Sequence, residues 1–198
     1  NKKKVGDKIK KNEIKKAIIV MRFLPENNIS MIIDTFLELK KNHNINDKLF
    51  IIGGDGYSLV DVFDPDTEQW SSAQALPTGV TKGTAITVAG KIYLLGGQNQ
   101  YGDKLNQVLE YNPELNSWSQ KANMQYARHG LKAVYFDGRI WAIGGRNLST
   151  LNVVESFDLQ SNSWRAETKK APKLNFLGKF CRQKSLPKFW PMGDPKKV

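Results

Sequence analysis

One cysteine, two histidines and no apolar run long enough to cross a bilayer set the first limits on this chain of 198 residues. The lone thiol, Cys181, excludes an intramolecular disulfide and any multi-cysteine metal cluster, and fits a reducing compartment. It has basic neighbours, Lys179 and Arg182, but no histidine beside it in sequence, so an inert thiol is expected. His43 and His129 are 86 positions apart, and neither stands among Cys, Asp or Glu at zinc-site spacing, so no metal is expected. The run KKAIIVMRFLP offers five apolar residues, 17–21, before Arg22 interrupts them, against the roughly 18 of a helical span. No signal-peptide pattern follows Asn1, which reads as a processed or incomplete end. The expectation is a soluble chain, cytoplasmic or nuclear, with no contact to membrane.

Acidic residues are scarce at the two ends, and this explains the net charge of +11. Residues 1–16 hold eight lysines against Asp7 and Glu13, and residues 169–198 hold nine Lys/Arg against Asp194. The ends thus carry +6 and +8, leaving −3 for residues 17–168. Basicity confined to the ends reads as solvated tails, and a nucleic-acid partner is not expected.

What the sequence has is repetition. A glycine pair closes three apolar runs: KLFIIGG at Gly53 and Gly54, KIYLLGG at Gly96 and Gly97, and RIWAIGG at Gly144 and Gly145. Beyond each pair comes an aromatic, and seven positions further a tryptophan: Phe63 to Trp70, Tyr111 to Trp118, Phe157 to Trp164. From Trp70 to Gly90 and from Trp118 to Gly138 the interval is 20 residues in both copies. From the second glycine to the aromatic it is 9, 14 and 12. Constant intervals point to strands and tight turns, and the variable one to a surface loop. Each unit therefore reads as four short strands, with GTAITVAG or HGLKAVYFDG as the first and KIYLLGG or RIWAIGG as the second. VLEYN or VVESFD makes the third, and the tryptophan opens the fourth after an Asn/Asp/Pro turn.

This pattern resembles the kelch repeat, most clearly at residues 124–164, and is most similar to the BTB-kelch family. The resemblance implies one propeller blade per repeat. The expected architecture is all-β: a partial kelch propeller of about three four-stranded blades, not closed, with a short helical N-terminal segment. Its expected parts are a basic tail and helical linker at 1–47, repeats at 48–76, 77–124 and 125–168, and a basic tail at 169–198. The glycine pairs are read as architecture, letting backbone approach closely with positive φ. The aromatics and Trp70, Trp118 and Trp164 are read as packing between blades.

The first repeat lacks an apolar inner strand, because KKNHNIN precedes KLFIIGG. In the BTB-kelch family the first blade likewise begins at its second strand, and the resemblance implies that the missing strand returns from a distant C-terminus. IIDTFLELKKNH, 32–43, has helical spacing with Asn28 or Ser30 as caps, and looks like the last helix of a BACK domain. NEIKKAIIVMRF reads as a second helix of the same segment. After Trp164 the pattern stops, since residues 173–198 offer no further glycine pair.

No catalytic constellation, P-loop or dinucleotide fingerprint is present, and no cofactor is expected. Asp64 and Asp66 sit in a reverse turn, where turn chemistry accounts for them. Sequence variation concentrates in the loops at 55–59, 98–106 and 146–152, and between repeats at 77–83 and 124–130. Tyr57, Tyr101, Tyr126, Arg128 and Arg146 are the candidate partner-binding residues, large side chains suited to contact area and to acidic motifs. Arg128, in YARHG, matches an arginine that kelch-like proteins often present, while Val80 stands at its place in the preceding copy. The resemblance implies a protein-interaction module, the substrate-capturing part of a cullin-RING ubiquitin-ligase adaptor. Actin association is the alternative, and a kelch-type carbohydrate enzyme or oxidase lacks its residues here.

Overall fold

The structure, a computed structural model, describes residues 16–19, 26–43, 47–54 and 57–167. Cys181 and the C-terminal basic run lie outside the described residues. Three four-stranded sheets follow one another along the chain. The first holds β1 (Lys16–Ile19), β2 (Lys48–Gly54), β3 (Tyr57–Asp64) and β4 (Gln69–Ser72), with helix α1 (Glu26–His43) between β1 and β2. The second holds β5 (Thr84–Val88), β6 (Lys91–Leu95), β7 (Val108–Asn112) and β8 (Ser117–Lys121). The third holds β9 (Lys132–Phe136), β10 (Arg139–Ile143), β11 (Val154–Asp158) and β12 (Ser163–Glu167). Each sheet is ordered as its strands follow in sequence, and the arrangement is a partial propeller that does not close. No helix among the described residues is long and apolar enough to cross a membrane.

The constant interval from aromatic to tryptophan has a register behind it. Leu49 faces Phe63, which faces Trp70. Ile92, Tyr111 and Trp118 repeat that rung in the second blade, and Ile140, Phe157 and Trp164 in the third. Ring centroids lie 5.2, 4.9 and 5.1 Å apart within the three aromatic pairs, close enough for cross-strand stacking on one face. The turn joining third and fourth strands is held from within: the Asp158 carboxylate accepts from the Gln160 and Ser161 amides, and Asn112 and Asp64 act alike. Asp64 is thereby placed in turn chemistry, as the sequence indicated. Between first and second strands, Ala89–Gly90 and Asp137–Gly138 both take positive φ at two successive residues, which suits a two-residue hairpin.

Two cores lie between the blades. Phe50, Ile52, Val60 and Val62 of the first blade pack on Ile92, Leu94, Leu109 and Tyr111 of the second. Val88, Tyr93, Leu95 and Val108 of the second pack on Ile140, Ala142 and Phe157 of the third. Each fully buried aliphatic side chain contributes about 1.5–3 kcal/mol, so these two interfaces dominate the stability. Helix α1 covers the first blade's other face, Phe36 meeting Leu49 and Phe63. It thus takes the position on that face that a preceding blade takes on the second and third.

Three expectations at the N-terminal end are corrected. The first blade does not lack an inner strand, because β1 pairs in parallel with β2, Ile18 opposite Phe50. A parallel neighbour needs a crossover connection, and α1 supplies one. Lys16–Ile19, read as part of a second helix, is strand, in keeping with the β-branched Ile18 and Ile19. The helix begins at Glu26, so Asn28 and Ser30 lie inside it and are not its caps. Pro25 in sequence and the acidic Glu26 suit a helix start there.

The paired glycines are where one blade receives the next. Gly53 has φ +64, and a Cβ there would stand 2.6 Å from the Val80 carbonyl oxygen; Gly96 has φ +57, and its Cβ would stand 2.5 Å from that of Arg128. At Gly144, φ +62, the nearest atom among the described residues would be the Leu151 carbonyl oxygen at 3.7 Å. Alanine at Gly144 meets only the backbone penalty of about 1–2 kcal/mol, whereas at Gly53 or Gly96 it also drives backbone from backbone. The expected outcome in thermal unfolding is that Gly53→Ala and Gly96→Ala each lower the midpoint well beyond Gly144→Ala; equal losses at the three sites would contradict the assignment.

Candidate functional site

The loops that vary in sequence gather on the face where second strands end and third strands begin. Their backbones are tied to one another across the repeats. The Gly54 amide donates to the Val80 carbonyl at 3.1 Å and the Gly97 amide to that of Arg128 at 2.9 Å, so Val80 and Arg128 are equivalent positions, as their spacing indicated. Thr81 and Gln98 exchange both backbone bonds, and His129 and Arg146 do the same one blade on. The Gly130 amide donates to the Lys82 carbonyl at 2.8 Å. A constant backbone ladder therefore carries side chains that differ from copy to copy.

Four candidate residues stand exposed there. Tyr57 opens β3 in the first blade, Tyr101 tips the β6–β7 loop of the second at 81% exposure, and Tyr126 and Arg146 flank β9 and β10 in the third. The Tyr101 loop is shaped by Asn99, whose side-chain oxygen accepts from the Tyr101 and Asp103 amides while its amide nitrogen donates to the Asp103 carboxylate at 2.9 Å.

Arg128 is placed otherwise. It was expected at the surface, and its side chain is fully buried. Its Nη2 donates to Glu155 Oε2 at 2.6 Å and its Nη1 to the Gly144 carbonyl at 3.1 Å, while Glu155 Oε1 accepts from the Gln125 amide at 2.7 Å. Burial works to lower the Arg128 pKa and the Glu155 charge opposes it. The arginine therefore fixes the loop before β9 onto the third blade and offers no charge to a partner. Glu155 lies in VVESFD, where the sequence gives no sign of its role, since the partner stands 27 positions away.

A second device was also beyond the sequence reading. The Trp118 indole donates to the Gln74 carbonyl at 2.8 Å, and Asn116 accepts from the Gln74 amide at 2.7 Å. Trp164 and Asn162 grip Ala122 identically, at 2.8 and 3.0 Å. Tryptophan thus does more than fill space: it bonds to the backbone just beyond the preceding blade's last strand. The repeated NSW at 116–118 and 162–164 is its signal in sequence. The first copy has EQW, and Trp70 is 44% exposed.

Around His129 stand Lys82, Lys104 and Arg146. Partial burial and then these three cations hold its pKa below the ordinary 6.5. Among the described residues none of the three cations forms an ion pair, and no cluster of His, Cys, Asp or Glu suits a metal ion.

Two outcomes follow from these groups. Glu155→Gln leaves the Arg128 charge buried without its counter-ion, so it should cost about 3–5 kcal/mol in denaturant unfolding, with Arg128→Met plus Glu155→Leu costing less than the two singles combined. His129 binds fewer protons folded than unfolded, so its contribution to stability is complete above 6.5 and is lost as pH falls through the lower folded value. Lys82→Gly with Lys104→Gln should raise the His129 pKa, read from its imidazole NMR signals, and flatten that loss.

Comparisons with known proteins agree with this geometry. The family described as the KLHDC2/KLHL20/DRC7 Kelch-repeats domain matches residues 40–175. Mouse (Mus musculus) Kelch-like protein 35 is 28% identical over 122 residues, covering 60% of this chain and 21% of that protein. Human (Homo sapiens) Kelch repeat and BTB domain-containing protein 12 is 26% identical over 155 residues, 66% of this chain and 25% of that protein. Zebrafish (Danio rerio) Kelch-like protein 31 is 36% identical over 85 residues, 40% of this chain and 13% of that protein. The chain thus spans about a quarter or less of the length of these relatives. The solved structure of YjhT shares the fold at a TM-score of 0.53 and 20% identity, covering 61% of this chain and 48% of that one. Kinship of this kind supports a general protein-interaction or scaffold role. Three glycine-paired blades, locked carbonyl to glycine and indole to backbone, and a family match over residues 40–175 place this chain in the kelch-repeat family.

Proposed function

We propose that this chain is the partner-capturing part of a longer adaptor protein, and that the adaptor serves a cullin-RING ubiquitin ligase. The observation that carries the capture is the contrast on one face: a backbone ladder constant between repeats, bearing Tyr57, Tyr101, Tyr126 and Arg146, which are exposed and differ between repeats. Exposed tyrosine offers large contact area at small entropic cost, which suits a protein surface better than a small-molecule site. The ligase reading rests on the resemblance to the BTB-kelch family and on relatives such as Kelch repeat and BTB domain-containing protein 12. The helix read as the end of a BACK domain, α1, belongs to the same proposal. The cell compartment that goes with it is the cytoplasm or nucleus.

The test is quantitative affinity capture from cells, comparing the natural protein with Tyr57→Ala/Tyr101→Ala/Tyr126→Ala and with Leu115→Ala, an exposed residue of the turn between β7 and β8 at the opposite face. The tyrosine variant should lose specific partners at an unchanged unfolding midpoint, and the Leu115 variant should keep them. A cullin retained by both variants would support the ligase role. Partners indifferent to the tyrosines would remove the loop face from the proposal.

A further inference from the structure

We infer that Ser149 is a phosphorylation site for a protein kinase that selects basic segments, and that its phosphate closes the loop face to partners; the second half rests on the reading of that face above. Ser149 lies in the loop joining β10 and β11, where residues 146–150 are all exposed and Leu148 reaches 98% exposure. Arg146 stands three positions before it, and among the described residues no other Ser or Thr follows an arginine at that distance. No acid lies between Asp137 and Glu155. An arginine so placed in a run free of carboxylates complements a kinase cleft lined with carboxylates. The hydroxyl is also unspent. Ser156 donates to Glu167 at 2.6 Å and Ser161 bonds Ser163 at 2.7 Å, whereas the Ser149 hydroxyl has no partner among the described residues. Two backbone bonds close the loop, from the Asn147 amide to the Ser149 carbonyl at 3.0 Å and from the Leu151 amide to the Gly145 carbonyl at 2.8 Å. Drawing residues 147–150 out into a kinase cleft gives up these two bonds and no strand pairing. In the transfer from ATP, the bond from the γ-phosphorus to its bridging oxygen breaks and the bond to Ser149 Oγ forms; ADP leaves, and the hydroxyl proton passes to the kinase's carboxylate base.

The surroundings are prepared for the product of that step. A phosphoserine carries about two negative charges and three strong acceptor oxygens. Arg146 lies across the closed turn, bridged to Thr150 next to Ser149, and on its other side it exchanges backbone bonds with His129. Lys82 and Lys104 also act on His129, and among the described residues neither they nor Arg146 forms an ion pair. A phosphate on Ser149 therefore meets a free guanidinium within its own loop, and the pair fastens a segment that two backbone bonds hold now. It also offsets the cations that keep the His129 pKa below 6.5, so that pKa rises. Exposed Tyr101 and Tyr126 stand on the same face. A partner covering them together with this loop would have to bury a dianion already paired to its own chain, which costs free energy that the bare hydroxyl does not.

The test treats the full chain with ATP and the catalytic subunit of cyclic-AMP-dependent protein kinase, which is arginine-directed, and in parallel with casein kinase 2, which selects acidic surroundings. Thr168 and Ser185 follow Arg165 and Arg182 at the same spacing, so mass spectrometry must place the phosphate by residue. The expected result is that the first kinase phosphorylates Ser149 and the second does not, and that Arg146→Gln slows the reaction at Ser149 about tenfold or more. The His129 imidazole NMR signals should then titrate about half a unit higher or more, a shift absent from Ser149→Ala treated in the same way. Ser149 is exposed, so that variant should keep its unfolding midpoint. In affinity capture the phosphorylated chain should lose the partners that the tyrosine variant loses. No phosphate at Ser149, or a phosphate that leaves the His129 titration unmoved, would overturn the site. Partners kept by the phosphorylated chain but lost by the tyrosine variant would overturn the switch and leave the loop face standing. Partners kept by the tyrosine variant would remove the loop face, while the phosphate and the His129 titration still decide the site.

Discussion

Everything in this chain depends on how one blade is seated on the next. A sheet of four short strands cannot bury both of its faces alone, so the repeat is stable only where neighbours lock in a single register. Two contacts provide that register. On the loop face, the carbonyls of Val80 and Arg128 enter the space that Gly53 and Gly96 leave open. On the outer strands, Trp118 and Trp164, with Asn116 and Asn162, grip the backbone of the preceding blade. Apolar burial supplies the energy between these contacts, and the contacts decide the alignment in which it is realised. The Glu110 carboxylate at the second blade's face toward the third shows the polar side of the same problem. Burial favours its protonation, but bonds from Tyr93, Lys91 and Lys121 outweigh this and hold its pKa below the ordinary range.

The two ends of the stack are treated differently. The first blade's outward rung, Leu49 and Phe63, is covered by α1 through Phe36. At the third blade, Ile143 stands where Ile52 and Leu95 stand in the first and second, yet it is 40% exposed while those two are buried. The open environment of Gly144 agrees with that difference. An end helix on one side, and a partly exposed Ile143 on the other, set the two ends of the described blades apart.

The loop face follows from the same locks. Because the ladder that joins Gly97 to Arg128 and His129 to Arg146 is made of backbone, its geometry is independent of the side chains it carries. Side chains are then free to differ, and the differences put tyrosines and cations in one neighbourhood. Arg128 is the exception that shows the rule, since its backbone serves the ladder while its side chain is drawn inward by Glu155.

The repeats, their strands and the role of the glycine pairs were legible in the sequence because each depends on local spacing: period-two patterning, Asx turns and an invariant count from aromatic to tryptophan. Among the candidate site residues, Tyr57, Tyr101, Tyr126 and Arg146 were placed on the surface by the same loop logic, and the structure leaves them exposed. The rest needed contacts between distant residues. Helical spacing could not reveal that α1 bridges two parallel strands, or that Lys16–Ile19 completes a blade, since strand partners 32 positions apart leave no local trace. The burial of Arg128 was decided by a carboxylate 27 positions on, and the gathering of Lys82, Lys104, His129 and Arg146 by bonds between blades. Sequence by itself determined the repeat and the strands within it, because a strand's pattern is written in adjacent residues. Tertiary structure alone decided which charges are spent inside and which face a partner, because charge is paired in space and not along the chain.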